Sequence, residues 1–130
     1  MVDLNSFFSR LKEIPEMERA GMILFHVGIV RSFSRDGRPV KGVWVKVDRE
    51  RLEEIITEAR QRPGIVAVEV EIFEGKRKVG EPLMVLAVAG DFRENVIKVL
   101  SETLDRIKAE VTHKEELEAG GGDVTTEKGL

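Results

Sequence analysis

The chain has no cysteine and no tyrosine, two histidines, and three side-chain amides: Asn5, Asn95 and Gln61. The missing cysteine removes disulfides, thiolate nucleophiles and most structural zinc sites together. With only His26 and His113 available, a transition metal held by protein side chains is not expected, and no cofactor is called for. No stretch approaches the ~20 apolar residues of a membrane span. The opening "MVDLNSFFSRLKEIPE" interrupts its apolar residues with charge, unlike a secretory leader, so a cytoplasmic protein is expected. What is abundant is charge: 35% of the 130 residues are Asp, Glu, Lys or Arg, yet the net charge is only -3. Dense mixed charge with few thermolabile residues is a hyperthermophile pattern, and it makes many cations members of surface ion pairs.

The apolar pattern predicts one α+β domain, residues 1–119, followed by a loose Gly-rich tail over 120–130, "GGGDVTTEKGL". Residues 4–13 have the spacing of a short helix with Phe7, Phe8 and Leu11 on one side. "MILFHVGIV" (22–30) reads as a buried strand, and "SRDGRP" supplies an Asp-Gly turn. "VKGVWVKV" (40–47) alternates like a strand. Asp48 is placed to cap a helix to Arg60 with a Leu52, Ile55, Ile56, Ala59 stripe. Strands follow at 65–73 and 82–89, joined by the connection "EGKRKVGE". A last helix starts at Asp91, with Asp91 and Glu94 spaced as a capping box and Ile97, Leu100, Leu104, Ile107 and Val111 as its stripe. The order is αββαββα, and its hairpins imply a mostly antiparallel sheet with helices on one face.

Candidate chemistry is cationic. Arg31, Arg35, Arg38 and Lys41 crowd one loop against a single Asp36. Lys108 lies near the end of the last helix, with His113 and Lys114 just beyond. Arg93 lies in that helix's first turn, where a cation opposes the macrodipole by ~0.3–1 kcal/mol. A bound phosphate at this site would reverse that penalty.

Several pieces, in order, resemble the large subunit of molybdopterin synthase, the MoaE family. They are "FHVGIVR" (Phe25 to Arg31), "TEAR" (Thr57 to Arg60), "GKRKVGE" (Gly75 to Glu81), "GDFR" (Gly90 to Arg93), "DRIK" ending at Lys108, and "VTHKE" with Lys114. The resemblance covers roughly residues 20 to 116 and implies the family's α/β-hammerhead fold. It departs at Phe92, where the family has histidine, and at Val111 to His113, where it has aromatic residues. The resemblance implies a sulfurtransferase. Sulfur would pass from a thiocarboxylate on the C-terminal Gly-Gly of a small ubiquitin-like carrier subunit to cyclic pyranopterin monophosphate, giving molybdopterin. It casts Lys108 and Lys114 as catalytic, and Arg31 and Arg93 as substrate-binding. It implies a homodimer inside a heterotetramer.

Two other readings stand beside it. One is a non-catalytic relative that binds a pterin, a phosphate or a partner protein. The other is a small RNA-binding module using "RSFSRDGRPVK", "KRK" and Phe33. The negative net charge and the absence of an aromatic pair on a strand weigh against nucleic acid.

Lys108 follows Arg93 by fifteen positions, about 22 Å along a helix axis. One chain cannot bring both to one small ligand, so a site shared across a twofold dimer is expected.

Overall fold

The computed structural model describes residues 2–118 and, as backbone, 124–128. At its centre runs β5 (Pro82–Gly90), whose residues Leu83 to Ala89 are at most 5% exposed. Strand alternation explains why this run is apolar without a break. Met84, Leu86 and Val88 face one core, while Val85, Ala87 and Ala89 face another.

β5 is flanked by β1 (Met22–Ile29) and β3 (Ile65–Ile72), both antiparallel to it, in the order β1-β5-β3. On one face lie α2 (Arg49–Arg60), through Leu52, Ile55, Ile56 and Ala59, and α3 (Arg93–Glu110), through Val96, Val99 and Ile107. On the other face lies α1 (Leu4–Lys12), through Phe7 and Leu11, with the 3-10 turn Pro15–Arg19. The α+β class and the antiparallel character agree with the sequence reading. The strands at 22–30 and 40–47, however, expected to form a hairpin across the Asp-Gly turn, lie in different sheets, and α1 lies on the sheet's second face where all the helices were expected on one. Phe8, expected beside Phe7, is exposed instead.

A second antiparallel sheet has the order β4-β2-β6-β7, from β4 (Gly75–Lys78), β2 (Val40–Val47), β6 (Thr112–Glu118) and β7 (Val124–Lys128). β4 was expected only as a connection, and β6 was not expected. The reason lies in the burial pattern of β6: Thr112, Lys114 and Glu116 point inward, while Leu117 is half-exposed. Its polarity is inverted relative to an ordinary half-buried strand. Of the tail expected over 120–130, residues 120–123 and 129–130 lie outside the described residues; Val124–Lys128 pairs with β6.

The start of α3 also differs from expectation. The helix begins at Arg93, Phe92 holds the cap position, and no side chain caps it. Asp91 lies one residue too early for a capping box. Its backbone N–H donates to Gly64 O (2.9 Å), and its carboxylate accepts from Phe92 N (2.6 Å) and Asn95 Nδ2 (2.8 Å). The buried stripe is Val96, Val99, Thr103 and Ile107. Of the expected stripe, Ile97 is 52% exposed and Leu100 and Leu104 are half-buried.

Ion pairs close α2 against α3, including Arg62–Glu102 (2.6 Å) and Arg106–Glu58. Among the described residues no helix is long and apolar enough to cross a membrane.

Candidate active site

A cleft of about 200 Å³ opens where β1 ends, the following loop begins, α3 stops and β6 starts. Its polar lining is His26, Arg31, Arg35, Lys108, Lys114 and Glu116, with Ile29 and Phe33 as an apolar rim.

Each side chain is placed by local structure. The register of β1 slips between Gly28 and Ile29. Val30 is then pinned by its N–H to Glu81 O (3.0 Å) and by Gly80 N–H to Val30 O (2.9 Å), so Arg31 leaves at the mouth of the cleft. The loop beyond is closed by Ser34 N–H to Arg38 O (2.9 Å) and turns at Gly37, whose φ of +86° suits glycine. Asp36 accepts from the Ser34 hydroxyl and from Arg38 Nε (2.8 Å). These bonds hold its carboxyl below the usual carboxylate range, Ser34 contributing most. The loop's one acid is therefore engaged with Ser34 and Arg38, while Arg31 and Arg35 line the cleft. Arg31 also lies over the Phe33 ring, 5.4 Å from its centroid.

Lys108 comes from the last turn of α3, where a cation suits the macrodipole. Lys114 and Glu116 sit opposite Val45 and Val43 on the inner face of β6, at 6% and 3% exposure.

Four cations thus surround one carboxylate in the cleft. The Lys108 ammonium is destabilised first by burial and then by Arg35; Asp105 opposes them, and Lys114 and Arg31 add smaller pushes, so its pKa falls below the ordinary lysine value. Burial, and then Lys108, also lowers the pKa of His26, leaving that imidazole largely neutral near pH 7. The arrangement can hold an anion while offering an amine that gives up its proton more readily than a surface lysine. Among the described residues no cluster of His, Asp or Glu is arranged to hold a metal ion.

Four of the cations singled out from the sequence, Arg31, Arg35, Lys108 and Lys114, meet here. Arg93 does not: its side chain is 80% exposed at the far end of α3, 3.4 Å from Glu94. Phe92, beside it, is 66% exposed. His113 faces away, on the outer side of the four-stranded sheet with Trp44, Lys46 and Glu115. Sequence reasoning missed His26 and Glu116. His26 is the one ionisable residue in an otherwise apolar strand, a signal open to reading; Glu116 required β6.

Fold and cleft define a small α+β protein with a cation-lined cleft at the junction of its two sheets. The sequence profile of the MoaE protein family matches residues 2–110, and the chain belongs to that family. Lys114 lies beyond the matched residues. In fold the chain is similar to molybdopterin synthase from Staphylococcus aureus (TM-score 0.76, 18% identity, 95% of this chain and 90% of that one). It is likewise similar to the molybdopterin biosynthesis MoaE protein from Burkholderia ambifaria (TM-score 0.75, 21% identity, 99% and 86%). A third similar structure is a complex of subunits 1 and 2 of molybdopterin-converting factor from Helicobacter pylori (TM-score 0.71, 16% identity, 96% and 84%). No curated protein matches the chain at a comparable level.

Proposed function

We propose that this chain is the large subunit of a molybdopterin synthase. Sulfur passes from the C-terminal thiocarboxylate of a small ubiquitin-like subunit to cyclic pyranopterin monophosphate. The observation that carries this reading is the convergence of Arg31, Arg35, Lys108 and Lys114 on one cleft in a chain of the MoaE family. The substrate's phosphate and the partner's tail are both anionic, so the same cations serve both.

Arg31, at the mouth, binds the phosphate. Thiocarboxylate sulfur bonds to a substrate carbon as a carbon–oxygen bond there breaks, the oxygen leaving as water or with the phosphate. Water then breaks the acyl carbon–sulfur bond, returning the partner's tail as a carboxylate, and a second carrier repeats the transfer to supply the other sulfur of the dithiolene. Lys108 takes the proton released in that hydrolysis, a role its lowered pKa supports. Lys114, buried beside it, orients the tail. Arg93 completes the site from a second copy of the chain, giving a homodimer that carries two small subunits in a cytoplasmic heterotetramer. That the basic loop closes a cleft, instead of spreading over an open face, favours this reading over RNA binding.

The test mixes the purified chain with a thiocarboxylated ubiquitin-like partner and the precursor, and measures dithiolene product. Product and complex should both form, and deleting the partner's final Gly-Gly should abolish the first and strongly weaken the second. A partner that binds equally well without its tail overturns the mechanism.

A further inference from the structure

We propose that His26 is a second proton-transfer residue of the cleft: its Nε2 takes the proton of the water that attacks the acyl carbon and passes it to Lys108. This rests on the synthase reading above and names the group that activates its water.

Packing alone does not explain a histidine at this position. β1 reads MILFHVGI, and His26 is its one ionisable side chain. Strand alternation sets His26 on the same face as Met22 and Leu24, which pack against the core beneath α2 and α3. Opposite it on β5 stands Leu86, fully buried. An apolar side chain would suit that face, and partly burying an imidazole there costs free energy unless a hydrogen bond offsets it. Among the described residues the ring has no hydrogen-bond partner. Of the chain's two histidines it is the one in the cleft, since His113 faces the outer side of the other sheet.

The ring is aimed at the cleft. A Cβ at Gly28, two residues on and on the same face, would stand 3.5 Å from His26 Nε2. That nitrogen therefore lies over the bare backbone of Gly28, which also lines the cleft. The last turn of α3 brings Lys108 to the same place. The other charged groups of the cleft are Arg31 and Arg35 from the loop after β1, and Lys114 and Glu116 from β6. Burial first, and then Lys108, keep the imidazole neutral near pH 7, the form that accepts a proton. With Nε2 as the acceptor, the ring's own hydrogen sits on Nδ1.

Nε2 takes one proton from water as the water oxygen bonds to the acyl carbon of the partner's tail. The carbon–sulfur bond then breaks, and its electron pair leaves on sulfur as a thiolate attached to the substrate. The proton moves from the imidazole to the neutral Lys108 amine, the stronger base. The tail's remaining acid proton is lost to solvent as it departs as a carboxylate, and nothing is oxidised or reduced. His26 is fixed on a strand, whereas Lys108 ends a flexible four-carbon stem. A fixed base directs the water to one carbon, and the mobile amine carries the proton away.

The test is a pH series of single-turnover rates with thiocarboxylated partner and precursor, from about pH 5 to 9. In the wild type both Lys108 and His26 must be neutral. The logarithm of the rate should therefore rise with slope two in acid, and with slope one between the two breaks. His26→Gln, which keeps a polar side chain but does not titrate, should hold slope one through the acid range and be slower by roughly 10²-fold or more. It should also accumulate the partner joined to substrate through sulfur, seen by mass spectrometry, because sulfur attachment precedes the water step. A residue that only packs would slow both steps alike and leave the slopes unchanged. Added imidazole should restore His26→Ala, and more basic imidazoles should restore it further. The role is overturned if a folded His26→Gln keeps slope two, which would assign the acid limb to Glu116, or if it accumulates no adduct. A wild-type slope of one in acid, or no imidazole rescue of a folded His26→Ala, overturns it as well. Any of these results in a wild type that turns over keeps the synthase reading. A wild type that binds the partner yet forms neither adduct nor product removes both.

Discussion

Arg93 and Lys108 occupy opposite ends of one helix, fifteen residues and about 22 Å apart along its axis. α3 runs as one continuous helix from Arg93 to Glu110, so the two residues stay in its first and last turns. An Arg93→Ala chain and a Lys108→Ala chain should each be inactive. Mixed so that heterodimers form, they should regain one intact site in two, about half the wild-type activity per heterodimer. Heterodimers that stay inactive would show that the two residues do not serve a common site.

The lowered Lys108 pKa has two consequences of defined sign. Turnover should climb with pH and level off below the ordinary lysine value of ~10.4, and Lys108→Arg, which stays charged, should lose that limb. In stability, the unfolded chain holds this proton more tightly than the folded one. Below the folded pKa the cost of the charged ammonium is fully present, and stability recovers as pH rises from that value toward the unfolded one. Lys108→Met should therefore raise Tm at pH 7 while abolishing activity. A fall in Tm would show that the ammonium is stabilising where it sits.

Phe92 stands exposed beside Arg93, where the family resemblance leads one to expect a histidine. If the shared site draws general acid–base help from that position, Phe92→His should raise turnover, with a ceiling of roughly 10²–10⁴-fold. Single-turnover rates in the assembled complex are the measurement. An unchanged rate would mark the position as structural.

Gly64 has φ +79°, and a Cβ there would lie 2.4 Å from Asp91 Oδ1 and 2.5 Å from Asn95 Nδ2. Those two side chains hold the first turn of α3, which presents Arg93. Gly64→Ala should cost about 1–3 kcal/mol in denaturant unfolding, from the left-handed backbone and the clash together. A change under ~0.5 kcal/mol would mean that the turn can move aside.

Local patterns in the sequence determined most of the elements. Val40–Val47 and Arg49–Arg60 follow from a period of two and a capped apolar stripe, both carried by neighbouring residues. The run Leu83–Ala89 announced a strand buried on both faces, and the cations Arg31, Lys108 and Lys114 could be chosen by type and order. Tertiary structure decided what depends on partners remote in the chain. β6 buries Lys114 and Glu116 because a cleft lies in front of them, so its polarity cannot be read by an apolar-inside rule. Asp91 is drawn out of the cap position by Gly64, twenty-seven residues earlier. His26 becomes a site residue only because α3 delivers Lys108 beside it. A stripe on a helix shows that something covers it, and only the packed chain shows that Ile97, Leu100 and Leu104 are left partly uncovered.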